Sequence, residues 1–120
     1  PVDRARVRAI SHAIALDIHP ICNVGTARFA VGASGGAISR EGWMRPFIAP
    51  GLAAVEAMLP GGEDCGGAGV TLADLCLVPQ VYNARRWQVD LSAMPRIGRV
   101  VEVLEQIPAF AKAHPDRQAQ

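Results

Sequence analysis

Two neighbouring arginines, Arg85 and Arg86, follow an apolar run and are the residues best suited to bind an anion. The planar guanidinium group of arginine matches a carboxylate through two parallel hydrogen bonds. The same residues would also be stabilised at the C-terminal end of a helix by the helix dipole, by about 0.3–1 kcal/mol. Their spacing therefore leaves two interpretations open, a carboxylate-binding role for one of them and a purely structural role for both.

A second group of residues with useful chemistry lies around Pro20. His19 and Asn23 are four residues apart, so they can share one helix face, and a proline kink between them would expose backbone groups. A surface histidine and a local asparagine cap would explain the same residues without a ligand. His12, Asp17 and His19 do not form a convincing set of metal ligands, so we predict no metal site.

The segment "TLADLCLVPQVYNARR", residues 71–86, begins with the pattern of a helix. Thr71 and Asp74 are spaced as a capping box, in which each side chain accepts a hydrogen bond from the backbone N–H of the other. We expect a structural role for both residues. Pro79 removes one helical hydrogen bond, at a cost of about 3 kcal/mol unless the surroundings compensate, so we expect a buried helix that bends around its neighbours.

Hydrophobic periodicity predicts an all-α bundle of about four to five helices in one domain, residues 1–120. Pro46 and Pro50 are expected to bend the second helix or to delay its start after the candidate cap Ser39. The predicted helices cover residues 3 to about 30 with a kink near Pro20, 39–59, a segment that starts at Thr71, and 96–107, followed by a short turn from Pro108.

The composition limits the possible partners. Half of the residues are hydrophobic, 19% are charged and the net charge is +1, so nothing favours a nucleic acid or an anionic membrane. Three irregularly spaced cysteines favour reduced thiols in a cytoplasmic protein, and no apolar run is long enough to span a membrane. The first residue is Pro1, so we expect a piece of a longer chain.

The segments "ADLCLVPQVYNARR", "VDLSAMPRI", "DIHPICN" and "PAFAKAHPDRQ" resemble the C-terminal helical domain of zeta-class glutathione transferases, the maleylacetoacetate and maleylpyruvate isomerases. The resemblance covers nearly the whole chain in order. It implies a glutathione-dependent isomerisation of a maleyl to a fumaryl group, in which the thiolate adds to the double bond, the bond rotates and the thiol leaves. It also implies a homodimer, and an N-terminal thioredoxin-like domain that is absent from this sequence. This chain would then hold no catalytic residue and would be inactive alone.

The resemblance also implies roles for individual residues. Arg86, rather than Arg85, would bind a carboxylate of a small dicarboxylate substrate. Many members of the family have an arginine at the position of Gly25, and its loss weakens the substrate assignment. The residues that would border the glutathione site are His19, Asn23, Val24 and Gly25.

Two further hypotheses compete with the isomerase. The chain could be a non-enzymatic helical interaction module, because similar helical domains serve as assembly units in other proteins. It could also be a degenerate fragment, a reading suggested by Pro46, Pro50, Gly25 and the glycine-rich loop at 60–69. Glutathione affinity and cooperative folding would distinguish these alternatives from the enzyme.

Overall fold

A computed structural model describes residues 1–118, which form six α-helices, a π-helical segment and a short 3-10 helix. No strand occurs in this part of the chain, so the predicted all-α fold is confirmed. The α-helices are α1 (Val2–His12), α2 (Val24–Ala33), α3 (Arg40–Met58), α4 (Leu72–Arg86), α5 (Pro95–Glu105) and α6 (Pro108–Ala113). The π-helical segment is Ala13–Ile18, which continues α1, and the 3-10 helix is Pro115–Arg117.

The first predicted helix is divided in two. Helical structure ends at Ile18, and a new helix, α2, begins after Asn23, whose backbone is extended and whose Oδ1 accepts the Gly25 N–H at 2.8 Å. The prediction of one continuous, kinked helix over residues 3–30 was therefore wrong. Pro20 interrupts the hydrogen-bonding pattern, and the asparagine side chain then caps a separate helix. This division is why the structure has six α-helices.

The second predicted helix, α3, is continuous despite its two prolines. It begins directly after Ser39, whose Oγ accepts the Gly42 N–H at 2.9 Å, so its start is not delayed. Pro46 and Pro50 lie four residues apart on the exposed face. Water can therefore reach the carbonyl groups that the prolines leave without an intrahelical partner. The buried residues on the opposite face are Met44, Ile48, Leu52 and Val55.

The π-helical segment packs closely against α3. Ile18 is 1% exposed, and a Cβ atom at Gly51 would lie 2.5 Å from its Cγ1. Only a glycine permits this close approach, because real Cβ atoms do not come so near to other carbon atoms. The contact anchors the end of the first helical unit, directly before the turn that leads to α2.

α5 is held in place by a side chain of α3. Pro95 occupies the first helical position and has no N–H, so the N–H groups of Arg96 and Ile97 are the first that need partners. Glu56 accepts both, with Oε1 at 2.9 Å from the Arg96 nitrogen and Oε2 at 2.8 Å from the Ile97 nitrogen. The buried inner face of α5 consists of Ile97, Val100, Val101 and Leu104.

Candidate functional site

The predicted capping box is present at the start of α4. Asp74 is fully buried; its Oδ2 accepts the N–H and the hydroxyl of Thr71, both at 2.7 Å, and its Oδ1 accepts the Cys65 N–H at 3.0 Å. Burial and the hydrogen bond with Asp74 raise the pKa of the Cys65 thiol. Asp74 therefore joins the glycine-rich loop to α4, and Cys65 is held as an unreactive thiol.

α4 has one buried and one exposed face, and the exposed face is apolar. Leu72 is 58% exposed, Leu75 is 54% exposed, and Pro79 is exposed one turn further on. We call these residues the apolar stripe. The expected burial around Pro79 was wrong, because this proline faces outward; the carbonyl group that it leaves free lies on the exposed side, as in α3. Arg86 continues the same face towards the end of the helix.

A pocket of about 390 Å³ lies between the π-helical segment, the beginning of α2 and α4. We call it the amide pocket, because three of its lining residues, Asn23, Gln80 and Asn83, have carboxamide side chains. The structure brings together here three of the residues predicted to border a glutathione site: His19, Asn23 and Val24. Gly25 does not line the pocket; its N–H instead bonds to Asn23.

The two asparagines already use their side-chain oxygens as acceptors. Asn23 Oδ1 accepts the Gly25 N–H at 2.8 Å, and Asn83 Oδ1 accepts the indole N–H of Trp87 at 3.0 Å. The NH₂ ends of both side chains are therefore the ends left to donate. None of the residues that line the pocket is acidic. This arrangement suits a ligand that presents acceptor oxygens, such as a carboxylate or a peptide carbonyl.

Gln80 lines the same pocket and is the residue that the sequence analysis missed. Its side chain is 4% exposed, and within residues 1–118 its Nε2 atom is buried without a hydrogen-bond partner. Buried polar atoms nearly always have a partner, so this nitrogen is an exception whose reason the fold alone does not supply. Sequence patterns cannot identify it, because a glutamine in an apolar helix has no spacing that distinguishes it.

The two arginines at the end of α4 differ in their partners. Arg85 Nη1 lies 3.0 Å from Glu105 Oε1 in an ion pair. Arg86 makes no ion pair within residues 1–118; it is exposed, and its guanidinium carbon lies 5.7 Å from the centre of the Trp87 ring. Arg86 does not line the amide pocket. The predicted carboxylate-binding residue is thus available to a ligand, but the structure does not bring it into that pocket.

A larger pocket of about 790 Å³ lies between α4 and the C-terminal end of the described chain. We call it the tail groove. Two pairs of its charged and polar side chains are engaged with each other: Arg85 pairs with Glu105, and the Tyr82 hydroxyl donates to Asp116 Oδ1 at 2.8 Å. This bond to the carboxylate raises the pKa of Tyr82 above its ordinary value. The amide pocket brings together His19, Asn23 and Val24, and we therefore take it as the candidate site for ligand binding.

Two further features of the described part of the chain are the arrangement of its potential metal ligands and the length and polarity of its helices. Residues 1–118 contain no group of three or more histidine, cysteine or acidic side chains arranged to hold a metal ion. Among their helices, none is both long enough and apolar enough to cross a membrane. The cysteines Cys22, Cys65 and Cys76 are free thiols.

Known proteins that resemble the chain have consistent names. The maleylacetoacetate isomerase of Rhizobium meliloti (strain 1021) is 54% identical over 121 residues, covering 98% of this chain and 57% of that protein. The chain therefore spans about half the length of the curated relatives that it matches. No protein-family model matches it.

Solved structures agree with the sequence relatives. The maleylacetoacetate isomerase of Anaeromyxobacter dehalogenans 2CP-1, solved with bound dicarboxyethyl glutathione and citrate, matches with a TM-score of 0.89 and 40% identity, over 98% of this chain and 53% of that one. A maleylpyruvate isomerase described as a bacterial zeta-class glutathione transferase matches with a TM-score of 0.89 and 37% identity, over 98% of this chain and 57% of that one.

Proposed function

We propose that this chain, which resembles the zeta-class glutathione transferases named maleylacetoacetate and maleylpyruvate isomerases over the part of them that it spans, forms the substrate-pocket part of such an enzyme. The proposed reaction converts maleylacetoacetate or maleylpyruvate into the fumaryl isomer during the breakdown of aromatic compounds. The proposed cofactor is glutathione, which is bound in structures of related proteins.

Glutathione, when bound, supplies the thiol nucleophile for addition to the double bond of the substrate. The residues of this chain would bind and orient rather than react. The amide pocket would donate hydrogen bonds to acceptor oxygens, with Asn23, Val24 and His19 at its border. Arg86 would bind a substrate carboxylate through its two-pronged guanidinium group.

The observation that carries this proposal is the difference between the two arginines. Arg85 is engaged with Glu105, whereas Arg86 has no ionic partner within the described residues and lies on the same face of α4 as the apolar stripe. An exposed cation without a carboxylate partner is free to bind an anionic substrate. Its carboxylate-binding role distinguishes an isomerase from a helical module that only makes protein contacts.

The apolar stripe supports a covering domain. More than half of the surface of Leu72 and of Leu75 is exposed, and such adjoining apolar residues are typical of a protein contact. We propose that a thioredoxin-like domain of the same protein, which would hold and activate the glutathione thiol, packs on this stripe. The complete protein would form a homodimer in the cytoplasm, with its cysteines reduced.

The test compares the two arginines in the complete gene product. We expect glutathione-dependent isomerisation of maleylacetoacetate or maleylpyruvate, and an Arg86→Ala variant should lower kcat/KM about 100-fold, since a charge-assisted, two-pronged contact is lost. Arg85→Ala removes the same side chain one residue away and should leave kcat/KM nearly unchanged. A folded protein that does not isomerise either substrate with glutathione would reject the proposal.

The apolar stripe also fits the second candidate, a non-enzymatic helical interaction module. In that case the complete gene product would lack glutathione affinity, and Leu75→Glu would disrupt an assembly without changing any enzymatic activity. Titration with glutathione therefore separates the two functions before any substrate is needed.

A further inference from the structure

We propose that Gln80 is a ligand-binding residue, which donates a hydrogen bond to a carboxylate or carbonyl oxygen of the molecule held in the amide pocket. The inference deepens the proposed function and rests on it in one respect, since glutathione and a dicarboxylate are the ligands in question. It assigns to this residue a recognition role that the resemblance to the isomerases does not supply.

The first argument is the incomplete hydrogen bonding of Gln80. Only 4% of the residue is exposed, yet its Nε2 has no hydrogen-bond partner within residues 1–118. Burying an amide donor without an acceptor costs about 1–3 kcal/mol. A residue that served only the fold would not need this donor, because a leucine of similar size would fill the same space without the cost.

The second argument is the position of Gln80 in the pocket wall. It lies on α4 between Cys76 and Asn83, which also line the amide pocket. Asn83 engages its oxygen with the Trp87 indole at 3.0 Å, so its NH₂ end remains a donor on the same helix. Two carboxamide donors on adjacent turns of one helix can bind the two oxygens of a single carboxylate.

The third argument is the electrostatic character of the opposite wall. α2 begins there, with its cap Asn23 and its first residue Val24 both lining the pocket. The N-terminus of a helix carries a partial positive charge, and no acidic side chain in the first turn of α2 offsets it. A negatively charged or strongly polarised oxygen is therefore favoured between this helix end and Gln80.

The test uses two substitutions of Gln80 in the complete gene product. Gln80→Leu removes the amide and keeps the volume, and Gln80→Glu replaces a donor with a charged acceptor. Gln106→Leu is the matched control, because it removes an amide from an exposed position outside the amide pocket. Two probes are titrated by calorimetry: glutathione alone, and succinate added to the glutathione-saturated protein.

We expect Gln80→Leu to weaken the binding of one probe about 10-fold, the loss that corresponds to one hydrogen bond to a charged group. Gln80→Glu should weaken it further through repulsion, and Gln106→Leu should not change it. If the glutathione affinity falls, the oxygen belongs to the cofactor; if the succinate affinity falls, it belongs to the substrate. Unchanged affinities for both probes in Gln80→Leu would overturn the inference.

The melting temperature separates ligand binding from a structural role. Because the amide has no partner in the fold, Gln80→Leu should leave the melting temperature unchanged or raise it. A lowered melting temperature together with the loss of both affinities would make Gln80 a structural residue and overturn the inference.

The outcomes also distinguish this inference from the proposed function. A wild-type protein that isomerises its substrate, with a Gln80→Leu variant that binds both probes normally, would reject only the role of Gln80. A wild-type protein that binds the probes through Gln80 but does not isomerise maleylacetoacetate or maleylpyruvate would reject only the proposed reaction. Binding of neither probe to the wild-type protein would reject both.

Discussion

Asp74 and Gln80 are buried polar residues of the same helix, and their surroundings are opposite. The Asp74 carboxylate accepts three hydrogen bonds, from the N–H and hydroxyl of Thr71 and from the Cys65 N–H. The Gln80 amide nitrogen has no partner within residues 1–118. A buried polar group with complete hydrogen bonding stabilises the fold, whereas an incomplete one is a cost that the fold alone does not explain.

The same contrast separates Arg85 from Arg86 at the end of α4. The first is paired with Glu105 at 3.0 Å, and the second makes no ion pair in the described part of the chain. Position in the sequence barely distinguishes the two residues. Their partners do: the ion pair of Arg85 links α4 to Glu105 at the end of α5, and no such link holds Arg86 within residues 1–118.

The largest expected effect on stability is that of Asp74→Ala. The substitution leaves the buried N–H groups of Thr71 and Cys65 without their acceptor, so the free energy of unfolding should fall by about 3 kcal/mol. Urea unfolding followed by circular dichroism measures it. Asp90→Ala is the control, because Asp90 is exposed and accepts hydrogen bonds from its neighbour Ser92 alone; the unfolding midpoint of this variant should hardly move. Equal effects at both positions would contradict the comparison.

A smaller effect is expected at Glu56, which caps α5 from α3. Glu56→Ala removes the acceptor of the Arg96 and Ile97 N–H groups and should lower the free energy of unfolding by about 1–2 kcal/mol, as for a lost helix cap. Glu102→Ala, an exposed change on α5 itself, serves as the control. If Glu56→Ala were as mild as the control, a complete set of hydrogen bonds would not be a reliable sign of a structural role.

The smallest effect concerns the Tyr82 hydroxyl, which is engaged with Asp116 at 2.8 Å. Its pKa is raised above the ordinary 10.0, first by this hydrogen bond, so the bond adds stability below pH 10.0 that is lost as the pH rises through the raised value. The chain has one tyrosine, so alkaline absorbance titration reports it alone. Asp116→Asn should move the midpoint back towards 10.0. An unmoved midpoint would mean that this contact does not hold the tail groove.

Local patterns in the sequence determined a large part of the structure. The capping box of Thr71 and Asp74, the serine cap of α3 and the inner face of α5 all depend on residues a few positions apart, within one helix. Interactions at this distance follow from the sequence directly, because the helix itself sets the geometry. The all-α class and the resemblance to the isomerases followed from the same patterns.

Only the tertiary structure decided which proline ends a helix. The turn at Pro20 leads to the cap Asn23, so the chain starts a new helix there. Pro46, Pro50 and Pro79 lie inside continuous helices, on exposed faces where water reaches the carbonyl groups that they leave free. The sequence shows that a hydrogen bond is missing, but the side of the helix on which it is missing depends on packing.

The candidate site followed the same division. The sequence identified His19, Asn23 and the pair of arginines by residue type, and the resemblance favoured Arg86. The structure decided which of these groups are engaged, because the contacts come from residues distant in sequence. Glu105 lies 20 residues from Arg85, and the surroundings of the Gln80 amide, which give its Nε2 no partner within residues 1–118, depend on how α2 and the π-helical segment pack against α4. Sequence spacing determines which chemistry is present in a helix, and only packing determines which of it remains free to bind a ligand.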